Sequence, residues 1–321
     1  MASLLLSLFL KVCSLLMALV LLVSPGAPLS GEQIAPTDQD ALQLNFSVLA
    51  DTHIETFEMF RFQYLRGALR DIRGAAVKSD ALVLLGDNTM NGQITEYIML
   101  YSILSAWNSS KNTLVAMGNH DINQSQNTID WAVAKHNAFF NAYTRGQNEK
   151  PYYYRVINDC YFIVLGSEDG DAGTAAYISP AQIAWLEDTM ALAGASGKPV
   201  FVFNHQPFND KVHFPDDDPN RDDGHYWWSF DGMGGASDAV FDALKAHDNV
   251  FFFYGHIHAP LELLNVCETE GVTLVNVPPF TAHVGGSGFY VEVYGDKVVL
   301  RARRYAEGVW DTDHVYTVEL V

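Results

Sequence analysis

From residue 44 onward, short strand-like runs alternate with stretches whose apolar residues fall at helical spacing. Leu44–Ala50, Ala81–Leu85 and Thr113–Met117 read as strands. Phe60–Lys78, Thr95–Trp107 and Thr128–Tyr143 read as the helices after them. Alternation of this kind predicts parallel strands joined by helical crossovers, an α/β arrangement. The second half holds two further strands of this type, Val200–Asn204 and Val250–Tyr254, preceded by helices near Pro180–Leu192 and Ala236–Ala246. It adds alternating, hairpin-like strands at Tyr152–Ile157, Tyr161–Leu165, Thr273–Val277, Phe289–Val293, Lys297–Arg304 and Val315–Leu320. These predict a second sheet packed on the first. No internal repeat or linker interrupts the pattern, so one domain is expected over residues 42–321. Phe208–Asp231 is irregular, and a long structureless stretch inside a domain is usually a functional loop.

The amino-terminal segment has a different pattern. Val12–Val23 is almost purely apolar, with Lys11 before it and the small-residue run Ser24-Pro25-Gly26-Ala27-Pro28 after it. A charged start, a short apolar run and a small-residue exit read as a signal peptide over residues 1–30. The competing reading, an uncleaved anchor, needs a longer run than these residues supply. Export follows as the expected location, secreted or extracytoplasmic, with no stable membrane anchor once the signal is cleaved. Residues 31–41 are polar and read as a tether.

Composition then removes some functions. Hydrophobic residues make up 49% of the 321, enough for a large core. Asp and Glu number 38 against 19 Lys and Arg, a net charge of −19. Binding a long polyphosphate backbone takes clustered basic residues, so long nucleic acid is not an expected partner. Outside the leader only Cys160 and Cys267 remain, which leaves two possibilities open, a bridge or two buried thiols.

Five motifs carry the chemistry, each at the end of a predicted strand: Asp51-Thr52-His53, Gly86-Asp87, Gly118-Asn119-His120-Asp121, Asn204-His205 and Gly255-His256-Ile257-His258. In an α/β sheet the ligand site lies at the carboxyl ends of the strands, so motifs far apart in sequence can converge there. Asp51 and His53, like His256 and His258, are two residues apart and lean the same way in extended chain. Imidazole, carboxylate and amide oxygen together suit first-row divalent ions rather than calcium or a thiolate site. Seven such ligands are too many for one ion and about right for two that share a carboxylate.

The ordered set resembles the calcineurin-like metallophosphoesterase superfamily, from Asp51 to His258. The resemblance implies a four-layer αββα sandwich, two mixed β-sheets flanked by helices. It implies that Asp51, His53 and His258 hold one metal, that Asn119, His205 and His256 hold a second, and that Asp87 bridges both. The cofactors implied are two divalent or iron ions drawn from Mn, Fe, Zn or Ni. A hydroxide shared by the two ions would attack the phosphorus of a phosphodiester or phosphomonoester, and the ions would neutralise the phosphoryl oxygens. His120 would protonate or stabilise the leaving oxygen, with Asp121 orienting its ring. Gly86, Gly118 and Gly255 would allow backbone to come close to the metals.

The run Gly86-Asp87-Asn88-Thr89-Met90-Asn91-Gly92 is similar to the phosphodiesterase-type members, which places diesters ahead of monoesters. One departure separates the chain from the purple acid phosphatases. They carry Gly where His53 stands and a metal-binding Tyr where this chain has Met90, so a tyrosinate colour is not expected.

Other candidates are His213, His225 and His283, in loops within reach of substrate, and Tyr226-Trp227-Trp228, which either stack on substrate or cover the core. Asp216–Asp218 reads as a solvated acidic loop, because its spacing fits no EF-hand. His136 and His247 fall on helical stretches and are expected at the surface. The leading expectation is therefore an exported dinuclear phosphoric ester hydrolase acting on a small phosphate ester. A catalytically silent binding module on the same fold and a nuclease or nucleotidase are the alternatives.

Overall fold

A computed structural model of the chain describes residue 12 and residues 31–122, 128–168, 174–209, 211, 232–263, 266–280 and 286–321. The expected signal segment, His213, His225, His283, Asp216–Asp218, Tyr226-Trp227-Trp228 and almost all of the acidic loop lie outside the described residues. Among the described residues no helix is long and apolar enough to cross a membrane.

In chain order the first half runs β1 (Leu44–Leu49), α1 (Met59–Arg73), β2 (Ala81–Leu85), α2 (Ile94–Trp107), β3 (Asn112–Ala116), α3 (Asn119–Ile122) and α4 (Ile129–Thr144). Then come β4 (Tyr153–Ile157), β5 (Cys160–Val164), α5 (Pro180–Gly194), β6 (Val200–Phe203), α6 (Ser237–Lys245) and β7 (Val250–Tyr254). The chain closes with β8 (Val266–Thr269), β9 (Val272–Asn276), β10 (Ser287–Val293), β11 (Lys297–Arg304) and β12 (Val309–Glu319).

These strands form two six-stranded sheets, ordered β12-β11-β10-β1-β2-β3 and β4-β5-β6-β7-β9-β8. Both are mixed. In the first, β1, β2 and β3 run parallel and the return strands β10–β12 antiparallel. In the second, β5, β6, β7 and β9 run parallel between two antiparallel edges. Two mixed sheets with flanking helices match the expected sandwich.

The side-chain period of two decides what each strand buries. In β6, Phe201 and Phe203 join the core shared with the first sheet, while Val200 and Val202 join the core under α5 and α6. In β7, Phe251 and Phe253 point one way, and Val250, Phe252 and Tyr254 the other. Phe46 of β1 stands among Phe162, Phe201, Phe203 and Phe253 of the opposite sheet, with ring centroids 4.9–6.3 Å apart and edge-on geometry. That cluster presses the sheets together below the site, and edge-on pairs add about 0.5–1.5 kcal/mol each beyond burial.

Several expectations shift. The segment 31–41 is docked, not loose. Ile34 is buried, the Ala35 carbonyl accepts from Arg301 at 2.8 Å, and Thr37 N–H donates to Glu292 at 2.9 Å. Glu292 is itself buried and held by Arg301 and the Tyr294 hydroxyl, so the polar segment satisfies an interior carboxylate. The first helix ends at Arg73, where Gly74 N–H caps the Arg70 and Asp71 carbonyls, rather than at Lys78. Two features are additional, the turn α3 and the edge strand β8, and β12 starts six residues before the expected Val315. His136 is not at the surface. It is buried between Tyr97 and Phe140, and burial holds its imidazole down to about 3. His247 is half-buried.

Cys160 and Cys267 are free thiols. They sit on β5 and β8, four strand spacings apart in the sheet. At about 4.8 Å per spacing they are roughly 19 Å apart, far outside the Cα separation a disulfide allows.

Candidate metal centre

The five motifs meet because β1, β2 and β3 of one sheet, and β6 and β7 of the other, end along one rim. Loop backbone then stitches the strand ends together. Asp51 N–H donates to Gly86 O at 3.1 Å, His53 N–H to Asp87 O at 2.9 Å, and Gly255 N–H to His205 O at 2.9 Å.

This rim is conformationally strained. Asp51, His53, Asp87, His256 and His258 all have positive φ, between 43° and 70°. Non-glycine residues in that region cost of order 1–3 kcal/mol each and cluster where function over-determines the backbone. Two glycines make the close approaches possible. A Cβ on Gly118 would lie 2.1 Å from Asp87 Oδ1, and one on Gly86, at φ +90°, would lie 2.6 Å from the His205 side chain.

The side chains fall into two groups, each with its candidate donor atoms within 4.8 Å of one another: Asp51, His53 and His258, then Asp87, His205 and His256. His205 Nε2 stands 3.1 Å from Asp87 Oδ2 and 3.8 Å from Asp51 Oδ1. His258 Nε2 is 3.1 Å from Asp51 Oδ1, and His53 Nε2 is 3.9 Å from Asp87 Oδ2. Asp87 therefore lies between the two groups, as a bridging ligand must.

The residues fit metal on an observation independent of motif. Asn119 Oδ1 and His256 Nε2 are buried and have no hydrogen-bond partner, while His205 Nε2 faces Asp87 Oδ2 at 3.1 Å. An orphaned buried acceptor costs about 1–3 kcal/mol, and two of them on residues of the strand-end motifs are explained by a ligand that takes their lone pairs. The ring of His205 is fixed for that purpose. Its Nδ1 stands 2.9 Å from the Leu85 carbonyl, so the N–H on Nδ1 donates there and Nε2 is turned to the centre.

Electrostatics agree with a cation-shaped gap. Burial opposes ionisation of Asp87, but His205, His120 and His53 outweigh it and hold the carboxyl well below its usual range. Asp51 is lowered in the same way against burial, by His258 and His205. Burial pulls His53 and His256 down to about 4 each. Burial also works against His205, yet Asp87 and Asp51 push it up to about 9.

His120 lies beside this group, grouped with His53 and Asp87 and with its ring centroid 4.7 Å from that of His53. Its backbone N–H donates to Asp87 Oδ1 at 2.9 Å. Its ring Nδ1 is 2.7 Å from the Met90 carbonyl, so the N–H on Nδ1 donates there and Nε2 is left free.

Asp121 corrects the expected arrangement, because its carboxylate does not reach that ring. It accepts from Asn88 N–H and Nδ2, Thr89 N–H and Oγ1, and Gly118 N–H, at 2.8–3.2 Å. Asp121 therefore fastens the loop after β2 to the loop after β3. The ring of His120 is oriented by a backbone carbonyl of that same loop. Sequence pattern alone missed this, since Met90 acts through its main chain.

Two more residues complete the loop and were not anticipated. Glu96, fully buried, accepts from Asn91 N–H and Nδ2 and from Gln93 N–H at 2.9–3.0 Å, and Lys135 donates to the Gly92 carbonyl. The spacing Gln93-x-x-Glu96 is that of the second half of a capping box and is the one signal that points to Glu96. Thr89, Asn91 and Gly92 are thus engaged in building the loop.

The comparisons with known proteins agree with this geometry. The family model for calcineurin-like phosphoesterases matches residues 44–260. The chain belongs to the calcineurin-like phosphoesterase family, whose members are dinuclear-metal-dependent hydrolases of phosphoric esters. A search of curated proteins finds no match.

Among solved structures, a dimetal phosphatase from Danio rerio superposes with TM-score 0.64 at 16% identity, over 87% of this chain and 100% of that one. A cold-active protein-tyrosine phosphatase from a psychrophilic Shewanella matches at TM-score 0.36 and 15% identity, over 90% of this chain and 82% of that one. Vacuolar Protein Sorting 29 from Cryptosporidium parvum matches at TM-score 0.36 and 15% identity, over 86% and 97%. The first of these shares the fold.

Proposed function

We propose that the chain is an exported phosphoric ester hydrolase in which seven side chains hold two metal ions and His120 serves the leaving group. The observation that carries the reading is the two groups of ligand-bearing side chains that meet at Asp87, together with the orphaned acceptors on Asn119 and His256. Asp51, His53 and His258 would hold one ion, Asn119, His205 and His256 the other, and Asp87 both. Two divalent ions there would supply Lewis-acid charge for a phosphoryl group and lower the pKa of water.

The chain's own residues do the rest. Asp51 and Asp87 bring two full negative charges to the rim. His205 is presented through Leu85 O, and His120 through Met90 O, so that the doubly protonated ring of His120 would deliver the Nε2 proton to a leaving oxygen and keep the one on Nδ1. Small diesters are the proposed substrate, supported by the likeness of Gly86–Gly92 to phosphodiesterase-type members. Export is supported by the leader pattern over residues 1–30.

Turnover of an aryl phosphodiester and an aryl phosphomonoester, with Mn, Zn, Fe or Ni between about pH 5 and 9, tests the assignment. Faster diester turnover supports the proposal, and faster monoester turnover refutes the substrate class. No turnover of either refutes the hydrolase. Recovery of the chain outside the cytoplasm with a mature amino terminus near residue 31, read by mass spectrometry, supports export and cleavage; recovery only from the cytoplasm refutes export.

A further inference from the structure

A cavity of about 530 Å³ opens at the amino-terminal edge of β3, the opposite end of the strand from the metal centre. A five-residue strand puts the two roughly 15 Å apart. In a chain with twice as many acidic as basic residues, this cavity is lined by Lys111, Arg145 and Arg155 and by no Asp or Glu.

The three cations come from three places in the fold. Lys111 precedes β3, Arg145 caps α4, and Arg155 lies in β4. A cation that merely complements a helix C-terminus accounts for Arg145 alone. Lys111 is paired with Asp80 at 2.6 Å. Among the described residues no carboxylate pairs with Arg145 or Arg155, which leaves two uncompensated guanidinium groups.

Arg155 is pre-positioned. Its Nη1 donates to Tyr154 O at 2.9 Å, its Nη2 to Asn148 Oδ1 at 3.1 Å, and its Cζ lies 5.0 Å from the Tyr153 ring centroid. Three of its five N–H donors stay free. Ser110 Oγ, also lining the cavity, is buried without a partner. Tyr143, partly buried, gives the lining an aromatic ring.

We infer that this cavity is a remote binding site for a small organic phosphate, the phosphoryl dianion held by Arg145, Arg155 and Lys111 and the organic part against Tyr143. Two guanidinium charges without a carboxylate partner balance a dianion rather than a planar monoanion, and a cavity of this size exceeds what a bare ion needs. The site is separate from the proposed catalysis and does not depend on it.

Calorimetric titration of the metal-loaded chain with phenylphosphonate tests the inference, with benzoate as the monoanionic control. Two classes of site are expected in the wild type. Arg145→Asn, chosen because Asn tolerates the φ of 59° at this position, should abolish one class or weaken it about tenfold or more, and leave ester turnover unchanged. Arg155→Gln should act on the same class. Asp87→Ala should remove the other.

An Arg145→Asn isotherm that superimposes on wild type would falsify the site, as would benzoate binding there as tightly as phenylphosphonate. An Asp87→Ala chain that keeps both classes would instead count against the proposed metal centre, so the two readings fail separately.

Discussion

Asp121→Ala separates two roles for one buried carboxylate. If Asp121 oriented the ring of His120, its loss would slow turnover and leave the fold intact. The structure assigns it otherwise. The carboxylate is fully buried and accepts from three backbone N–H groups, Asn88, Thr89 and Gly118, and from two side chains, Asn88 and Thr89. Alanine leaves those donors buried without an acceptor, at about 1–3 kcal/mol apiece before relaxation and water entry.

Against this, burial and the nearby Asp87 raise the Asp121 pKa, so part of the gain is already offset in the native state. The expected net loss is about 3–5 kcal/mol, on the order of 10 °C in melting temperature for a domain of this size. Because the loop carries Asp87 and the Met90 carbonyl, metal content should fall with it. Guanidinium unfolding monitored by circular dichroism, with metal analysis on the same sample, reads both. A variant within about 1 kcal/mol of wild type that keeps its metal would refute the loop-fastening role.

Four further outcomes follow from the same geometry. His120→Ala should lower turnover by about 10²–10⁴-fold while metal content holds; metal lost in parallel would make His120 a ligand. His136 has a folded pKa of about 3 against an ordinary value of 6.5, so below pH 6.5 the unfolded chain takes up a proton that the native chain refuses. Stability from this residue is therefore lost as pH falls. Between pH 7 and 4.5 the loss is about 2–3 kcal/mol, and urea titrations of wild type and His136→Phe should differ by that amount. Metal loading near neutral pH should release protons, because His205 is raised to about 9 before metal enters; a weakly buffered titration with no acidification would contradict this. The iron-loaded chain should show no tyrosinate charge-transfer band in its visible spectrum, since Met90 stands where that ligand would be.

What could be read from sequence and what could not divides on physical lines. The strand ends and their Asp, Asn and His residues were legible because a buried parallel strand is a short apolar run and its ligand-bearing loop follows at once. Long-range pairings were not legible. Residues 31–41 look like a tether by composition, yet Thr37 is held by Glu292, 255 residues away. β8 and the first part of β12 are edge segments whose exposed polar residues hide the alternation. Asp121 was placed beside His120 by adjacency in sequence, whereas the α3 turn carries its carboxylate down to the loop after β2. His136 looked like a surface residue of an amphipathic helix. Its burial depends on Tyr97, from a different helix.

The most direct test of the central claim is anomalous diffraction from crystals of the metal-loaded chain. The account predicts two peaks that share Asp87, one among Asp51, His53 and His258 and the other among Asn119, His205 and His256. A single peak, or two that leave Asp87 without a metal contact, would contradict it.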